Sequence, residues 1–287
     1  MGELCEEFEF FMRTVIYILS SGRSGSTILE MALGQSNDIY NVGELQLLCL
    51  EAKINKMPCG CGKSIDSCDF WGKVIAQHSI GCSENILGCL RNSNRHGHGK
   101  AFRLGLILDI IFNFVKHHSR YFDYNEELFN ILFRQTNKEI IVDSSKDPYR
   151  LFMIKNMKNI NIVVIHIRKK LLPYLYSNTK YKGGLWVNLR NICRYYFNFV
   201  LMTYITNRYF PHKTINIEYS DFIVQPEKYI NIVRSHCNLD SIKTLENISF
   251  SSHAVSGNRT RHSSRFIKLD EKWKSHLPKF LSFLKNW

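Results

Sequence analysis

The chain has 287 residues, 45% hydrophobic and 13% aromatic, enough for one large α/β domain or two small ones, and it lacks the composition of a disordered protein. Its 38 Lys and Arg against 25 Asp and Glu leave a formal charge of +13 and point to anionic partners. The cations are dispersed, so nucleic acid is not expected, and nine cysteines in a chain this long do not make a disulfide scaffold. Met1 to Phe11 is acidic and aromatic where a secretory signal is basic and then apolar. The longest apolar run, Leu104 to Val115, is too short to span a bilayer and carries Asp109. A soluble, cytoplasmic protein is expected.

Thr14 to Ser20 is a short, β-branched apolar run that reads as a buried strand. Ser21-Gly-Arg-Ser-Gly-Ser-Thr27 is a polar turn, and a helix is expected from Ser26 to Gly34. A strand, a tight loop and a helix N-terminus together make an anion site, because unpaired N–H groups and the helix dipole face the loop. Gly22 and Gly25 allow close backbone approach, while Ser24, Ser26 and Thr27 offer hydroxyls. Arg23 adds a charged fork suited to phosphate or sulfate oxygens. No Lys precedes Ser26 or Thr27, so this is not the G-x-x-x-x-G-K-[ST] loop of magnesium–nucleotide sites.

Ile39 to Val42 reads as a second strand, with Glu44 just past its end. In a parallel sheet that is the ligand-binding edge, although Glu44 also suits the first turn of a helix starting at Leu45. Residues 57–71 hold Cys59, Cys61 and Cys68 with glycines between them. They could supply three of four zinc ligands, with Cys49 or His78 as a fourth, but the paired C-x-x-C spacing is missing. The segment reads instead as a tight loop with buried thiols or a local disulfide, and no metal ligand is assigned. A basic loop spans Arg91 to His98, and a helix from about Lys100 to His117 is expected to present Leu104, Leu108, Ile111 and Val115 on one face. Glu126 and Glu127 suit the solvated first turn of a helix running to about Phe133.

Ile140 to Val142 is a further short strand, and Pro148 sets up the next helix, so Lys146 lies on a strand-to-helix loop at the same edge as Arg23 and Glu44. Asn161 to Lys170 reads as the next strand, ending in the three consecutive cations Arg168, Lys169 and Lys170, with Ser177 beyond. Residues 173–210 read as helical, with Trp186, Arg190 and Arg194 on one face and Tyr195, Phe197, Val200 and Tyr204 mostly packing. Thr214 to Ile217 is a last buried strand, followed by a helix from about Glu227 to Cys237. Gly257-Asn258 with Arg261 suits a loop folding over an anion.

These pieces, in this order, resemble the sulfotransferases that use 3′-phosphoadenosine 5′-phosphosulfate (PAPS), in particular the carbohydrate and tyrosylprotein branch. The likeness lies in the Arg23-Ser-Gly-Ser-Thr27 loop, Gly43-Glu44, Asp143-Ser-Ser-Lys146-Asp-Pro148, the basic strand end with Ser177, and His253 to Arg261. A Cys-Gly-Cys-Gly segment with Cys-x-Phe-Trp is also similar to insertions in bacterial relatives. The resemblance implies an α/β fold with a central parallel sheet flanked by helices, P-loop-like, in a single domain over residues 1–287 with a helical, Cys-rich insertion at about 50–135. It implies transfer of a sulfuryl group from PAPS to a hydroxyl or amine, releasing adenosine 3′,5′-bisphosphate. Glu44 would be the base, with Lys146 and Arg23 at the transferred group. Arg23, Ser24, Gly25, Ser26 and Thr27 would bind the 5′-phosphosulfate. Arg168, Ser177, Gly257, Asn258 and Arg261 would hold the 3′-phosphate side. Lys169 matches the family's spacing to Ser177 better than Arg168, but a guanidinium suits a phosphate dianion and Arg168 is preferred. No metal is required, and a saccharide is the expected acceptor. The rivals are a P-loop-like ATP-dependent kinase and a non-catalytic binder of anions or nucleic acid.

Overall fold

The computed structural model describes residues 13–55, 57–79, 107–113, 119–180, 184–245, 253–256, 271–276, 278 and 281. Five strands form one sheet: β1 (Thr14–Ser20), β2 (Ile39–Gly43), β3 (Ile140–Lys146), β4 (Asn161–Arg168) and β5 (Thr214–Glu218). Their order is β2-β3-β1-β4-β5, and every neighbouring pair is parallel. The chain builds one side of β1 before crossing to the other. The order therefore turns about β1, and the crevice at its carboxyl end is where open α/β sheets hold ligands.

Helices cover both faces of this sheet, which explains why β1 is apolar along its whole length and buried throughout. Val15, Tyr17 and Leu19 point to one side, into a core shared with Trp71, Phe129, Leu132, Phe152 and Ile205. Those residues come from α2 (Asp69–Gln77), α3 (Ser119–Thr136), α4 (Pro148–Ile154) and α6 (Gly184–Tyr209). Ile16 and Ile18 point to the other side, against Leu29 and Leu33 of α1 (Ser26–Leu33). Phe222 of α7 (Tyr219–Val224) and Val233 of α8 (Pro226–His236) complete that layer. The period-two alternation of a strand thus feeds two separate cores. Short helical turns fill residues 45–55, α5 spans Leu171–Thr179 and α9 spans Lys272–Ser275. Among the described residues, no helix is long and apolar enough to cross a membrane.

A buried polar cluster braces the end of β3. The Asp143 carboxylate takes bonds from Arg150 Nε and Nη2 at 3.0 and 2.9 Å, and Arg150 Nη1 donates to Tyr121 Oη at 3.0 Å and to Asn125. Arg150 is 1% exposed and Asp143 0%, so the pair is held by geometry that water cannot replace. Asp147 caps α4, its Oδ1 accepting from Tyr149 N at 2.7 Å and Arg150 N at 3.2 Å.

Several expectations about the helices need correction. Helix α3 begins at Ser119, so Glu126 and Glu127 lie mid-helix, where they accept bonds from the Lys158 and Ser79 backbone N–H groups, both at 2.8 Å. Residues 107–112 are helical, but Ile110 is the buried side chain there, while Leu108 and Ile111 are 42% and 49% exposed. Leu104 and Val115 lie outside the described residues. On α6, Phe197, Val200 and Tyr204 are exposed rather than packed.

Candidate active site

The carboxyl ends of all five strands converge on one crevice. After β1 the chain turns through Ser21 to Gly25 into α1. Arg23 sits at φ 68° and Gly25 at φ 90°. A Cβ on Gly25 would lie 2.1 Å from the Tyr219 ring, so only glycine fits this turn. Ser24, Ser26 and Thr27 are buried, and the Arg23 side chain is exposed at the crevice edge. Arg23 pays for the turn with a left-handed backbone, a strain of about 1–3 kcal/mol of the kind found at binding loops.

Glu44 follows β2, and its side chain makes no cap for the short helical turn at Leu45. Its Oε1 accepts from Lys146 Nζ at 2.6 Å, and the two side chains are 17% and 13% exposed. The two residues are 102 positions apart in sequence, so the sheet alone brings them together. Lys146 is aimed by a bulge in β3. Tyr17 pairs with Asp143 and Leu19 with Lys146, so three steps along β3 match two along β1. Lys146 takes φ 66° there. The bulge is pinned on both sides. Ser145 N donates to Asp143 Oδ1 at 2.9 Å, Gln46 Nε2 donates to Ser145 O at 2.8 Å, and Tyr17 Oη donates to Asp147 O at 2.8 Å.

At the end of β4, Lys169 Nζ donates to Ser177 Oγ at 2.9 Å and lies 4.7 Å from the Tyr219 ring centroid. Lys169, at the eight-residue spacing, is thus the cation that contacts Ser177 directly. Arg168, the last residue of β4, lies over the Phe199 ring at 5.5 Å, and Lys169 follows just past the strand end. Among the described residues, Arg168 Nε is buried without a hydrogen-bond partner, as is Ser20 Oγ. Ser21, Ser24, His166, Arg168, Lys169 and Phe199 line a small pocket between the β1 and β4 ends. Burial, followed by the Arg168 charge, pushes His166 down to about 4, so its ring is neutral at physiological pH.

The sheet edge thus gathers Arg23, Ser24, Gly25, Ser26, Thr27, Glu44, Lys146, Arg168 and Ser177. Gly257, Asn258 and Arg261 lie outside the described residues. Tyr219, which floors the loop at Gly25 and stacks under Lys169, was not singled out from the sequence, since an aromatic after a strand reads as packing. Cys49 and His78, named as sources of a fourth ligand had the cysteines bound zinc, lie elsewhere. His78 Nε2 lies 2.9 Å from Tyr124 O, and Cys49 Sγ lies 3.1 Å from Tyr124 Oη.

Neither a protein-family model nor a curated protein matches this sequence. Solved structures do. The sulfotransferase domain from the Synechococcus PCC 7002 olefin synthase is 18% identical with a TM-score of 0.50, over 91% of this chain and 87% of that one. The sulfotransferase domain from the curacin biosynthetic pathway is 14% identical with a TM-score of 0.53, over 95% of this chain and 97% of that one. At such identities the likeness is one of architecture. The five-stranded parallel sheet with helices on both faces is the fold of these sulfotransferase domains.

Proposed function

We propose that this protein is a PAPS-dependent sulfotransferase that moves a sulfuryl group to a hydroxyl, or an amine, of an acceptor. The observation that carries the reading is the Lys146–Glu44 pair, set by a bulge beside the β1–α1 loop. The residues present suit the cofactor. Gly25 allows the left-handed turn that packs the loop against Tyr219, Ser24, Ser26 and Thr27 are hydroxyl donors, and the buried Arg168 Nε and Ser20 Oγ still have bonds to make among the described residues. When bound, PAPS supplies an activated sulfuryl group on a leaving phosphate, and transfer in line spreads charge over the oxygens.

The chain's own groups answer that charge. The loop N–H groups and Arg23 stabilise negative charge at the end of β1. Lys146 carries three donors, of which one holds Glu44, leaving others for the leaving oxygen. Glu44 is held at Oε1, and its Oε2 is the site that takes the acceptor's proton. Lys169 and Ser177, joined to each other, present a cation and a hydroxyl suited to the 3′-phosphate, with Arg168 on the neighbouring side of β4. Gly257, Asn258 and Arg261 belong to the same cofactor side by resemblance. A saccharide is the acceptor class proposed first, because the Gly43-Glu44 base resembles that of the carbohydrate branch, and the whole of residues 1–287 is proposed to act as one domain.

The test is thermal stability with adenosine 3′,5′-bisphosphate, 5′-AMP, and ATP with magnesium. A ligand that binds only the native state at a hundredfold excess over its Kd adds about 2.7 kcal/mol. Selective stabilisation by the bisphosphate is expected. No response, or a response to magnesium–ATP alone, overturns the reading.

A further inference from the structure

Away from the crevice, four side chains bring soft or borderline donor atoms to one point. Three come from the turn before α2, namely Cys59, Cys61 and Cys68, and the fourth is His253, 185 residues beyond Cys68. All four donor atoms lie within 4.8 Å of one another. Cys68 Sγ is 3.7 Å from both Cys59 Sγ and Cys61 Sγ, and His253 Nδ1 is 3.2 Å from Cys68 Sγ and 3.8 Å from Cys59 Sγ. These separations are far beyond a covalent S–S bond of about 2.05 Å, and all three thiols are free. They match a tetrahedron. Bonds of about 2.3 Å to sulfur and about 2.0 Å to nitrogen place neighbouring vertices about 3.5–3.8 Å apart.

The surrounding structure holds these atoms in place. Cys59 N donates to Lys63 O at 2.7 Å and Gly62 N to Cys59 O at 2.8 Å, closing a tight turn in which Gly62 takes φ 87°. Cys68 precedes the first turn of α2. The His253 ring stacks on Phe70 with centroids 5.0 Å apart and planes 8° from parallel, and Trp71 Nε1 donates to His253 O at 2.5 Å. Cys59 and Cys68 are fully buried. An imidazole locked with one nitrogen turned into a nest of thiols is the environment of a bound ion.

We propose that Cys59, Cys61, Cys68 and His253 Nδ1 form a closed four-coordinate zinc site. Three thiolates and one imidazole select zinc among the common divalent ions, and four protein ligands leave no open position for a substrate, so the role is structural. The ion also has work to do near the crevice. Two residues after His253, Val255 N donates to Val42 O and Glu44 N donates to Val255 O, both at 2.8 Å. Gly60 N donates to Ala254 O at 3.0 Å. Zinc would therefore staple His253 to the turn at residues 59–68, and the segment it anchors, residues 253–256, bonds through Val255 to the end of β2 and to the backbone of Glu44.

The test is metal analysis of full-length protein made in zinc-supplemented medium and purified without chelators. One zinc per chain is expected. Cobalt exchanged into the site should show tetrahedral ligand-field bands with thiolate-to-cobalt charge transfer. His253→Cys should keep the metal and raise the charge-transfer intensity, whereas Cys61→Ser, at the exposed ligand, should weaken zinc binding on the order of tenfold or more while circular dichroism stays native. Folded protein with under about a tenth of a zinc per chain and three freely titrating thiols overturns the proposal. So does a Cys61–Cys68 disulfide found by mass spectrometry, or stoichiometric zinc that Cys61→Ser and His253→Ala leave unchanged.

Discussion

Glu44→Gln tests the proposed role of Glu44 as base separately from binding. The amide keeps the size of the carboxylate, and its oxygen can still accept from Lys146, whose Nζ lies 2.6 Å from Glu44 Oε1. The pair is largely enclosed, at 17% and 13% exposure, so losing the charge weakens a charge-assisted bond to an ordinary one. That change costs about 1–2 kcal/mol of stability, below the 3–5 kcal/mol for stranding a buried charge, because Lys146 keeps a partner. The effect on rate is larger. A positioned general base contributes about 10²–10⁴-fold, equivalent to about 3–5 kcal/mol of barrier. Release of adenosine 3′,5′-bisphosphate from PAPS in the presence of acceptor gives kcat, and calorimetric titration gives the Kd of the bisphosphate. The expected variant has kcat lowered by at least about a hundredfold and a Kd within about threefold of the parent. A kcat within tenfold of the parent, or a Kd that weakens in step with kcat, refutes the assignment of Glu44 as base.

Other outcomes follow from the same geometry. Gly25→Ala forces a Cβ to 2.1 Å from the Tyr219 ring and puts a side chain at φ 90°. It should abolish stabilisation by the bisphosphate while circular dichroism stays near native, and an unchanged affinity would show that the loop does not carry the ligand. Arg150→Met strands the fully buried Asp143, so urea denaturation should show a loss of about 3–5 kcal/mol, and a loss under 1 kcal/mol would deny the cluster its bracing role. His166 is pushed down to about 4 by burial and then by Arg168, so between about pH 6.5 and 4 the unfolded chain binds the extra proton. Stability conferred by its neutral form is therefore present above pH 6.5 and lost as pH falls, by up to about 3 kcal/mol at about 1.4 kcal/mol per unit. His166→Gln should flatten that part of the stability–pH curve, which denaturant titrations at pH 7, 5.5 and 4.5 will measure.

The strands were legible in the sequence because both faces of a central parallel sheet are buried, and β-branched apolar runs have few other homes. Thr14–Ser20 matches its expected limits residue for residue, and β4 (Asn161–Arg168) stops two residues short of its expected end at Lys170. The loop at Gly25 was legible for a related reason, since a left-handed turn with hydroxyls and an Arg is a local property of the chain. Local chemistry also narrowed Glu44 and Lys146 to one sheet edge, but their 2.6 Å contact arises from strands β2 and β3 lying side by side and from a bulge that no composition announces. The contact between Lys169 and Ser177 likewise comes from the chain's course past the end of β4, while Arg168 lies over Phe199. Residues 57–71 show the limit most plainly. Three cysteines in a row of glycines have a meaning only once a fourth donor is known, and His253 reaches them across 185 residues through folding alone. Sequence by itself determined the elements and the kinds of chemistry each carries, because these depend on neighbours along the chain. Tertiary structure alone decided which groups touch, because contacts between strands and distant loops are set by the packing of the whole sheet.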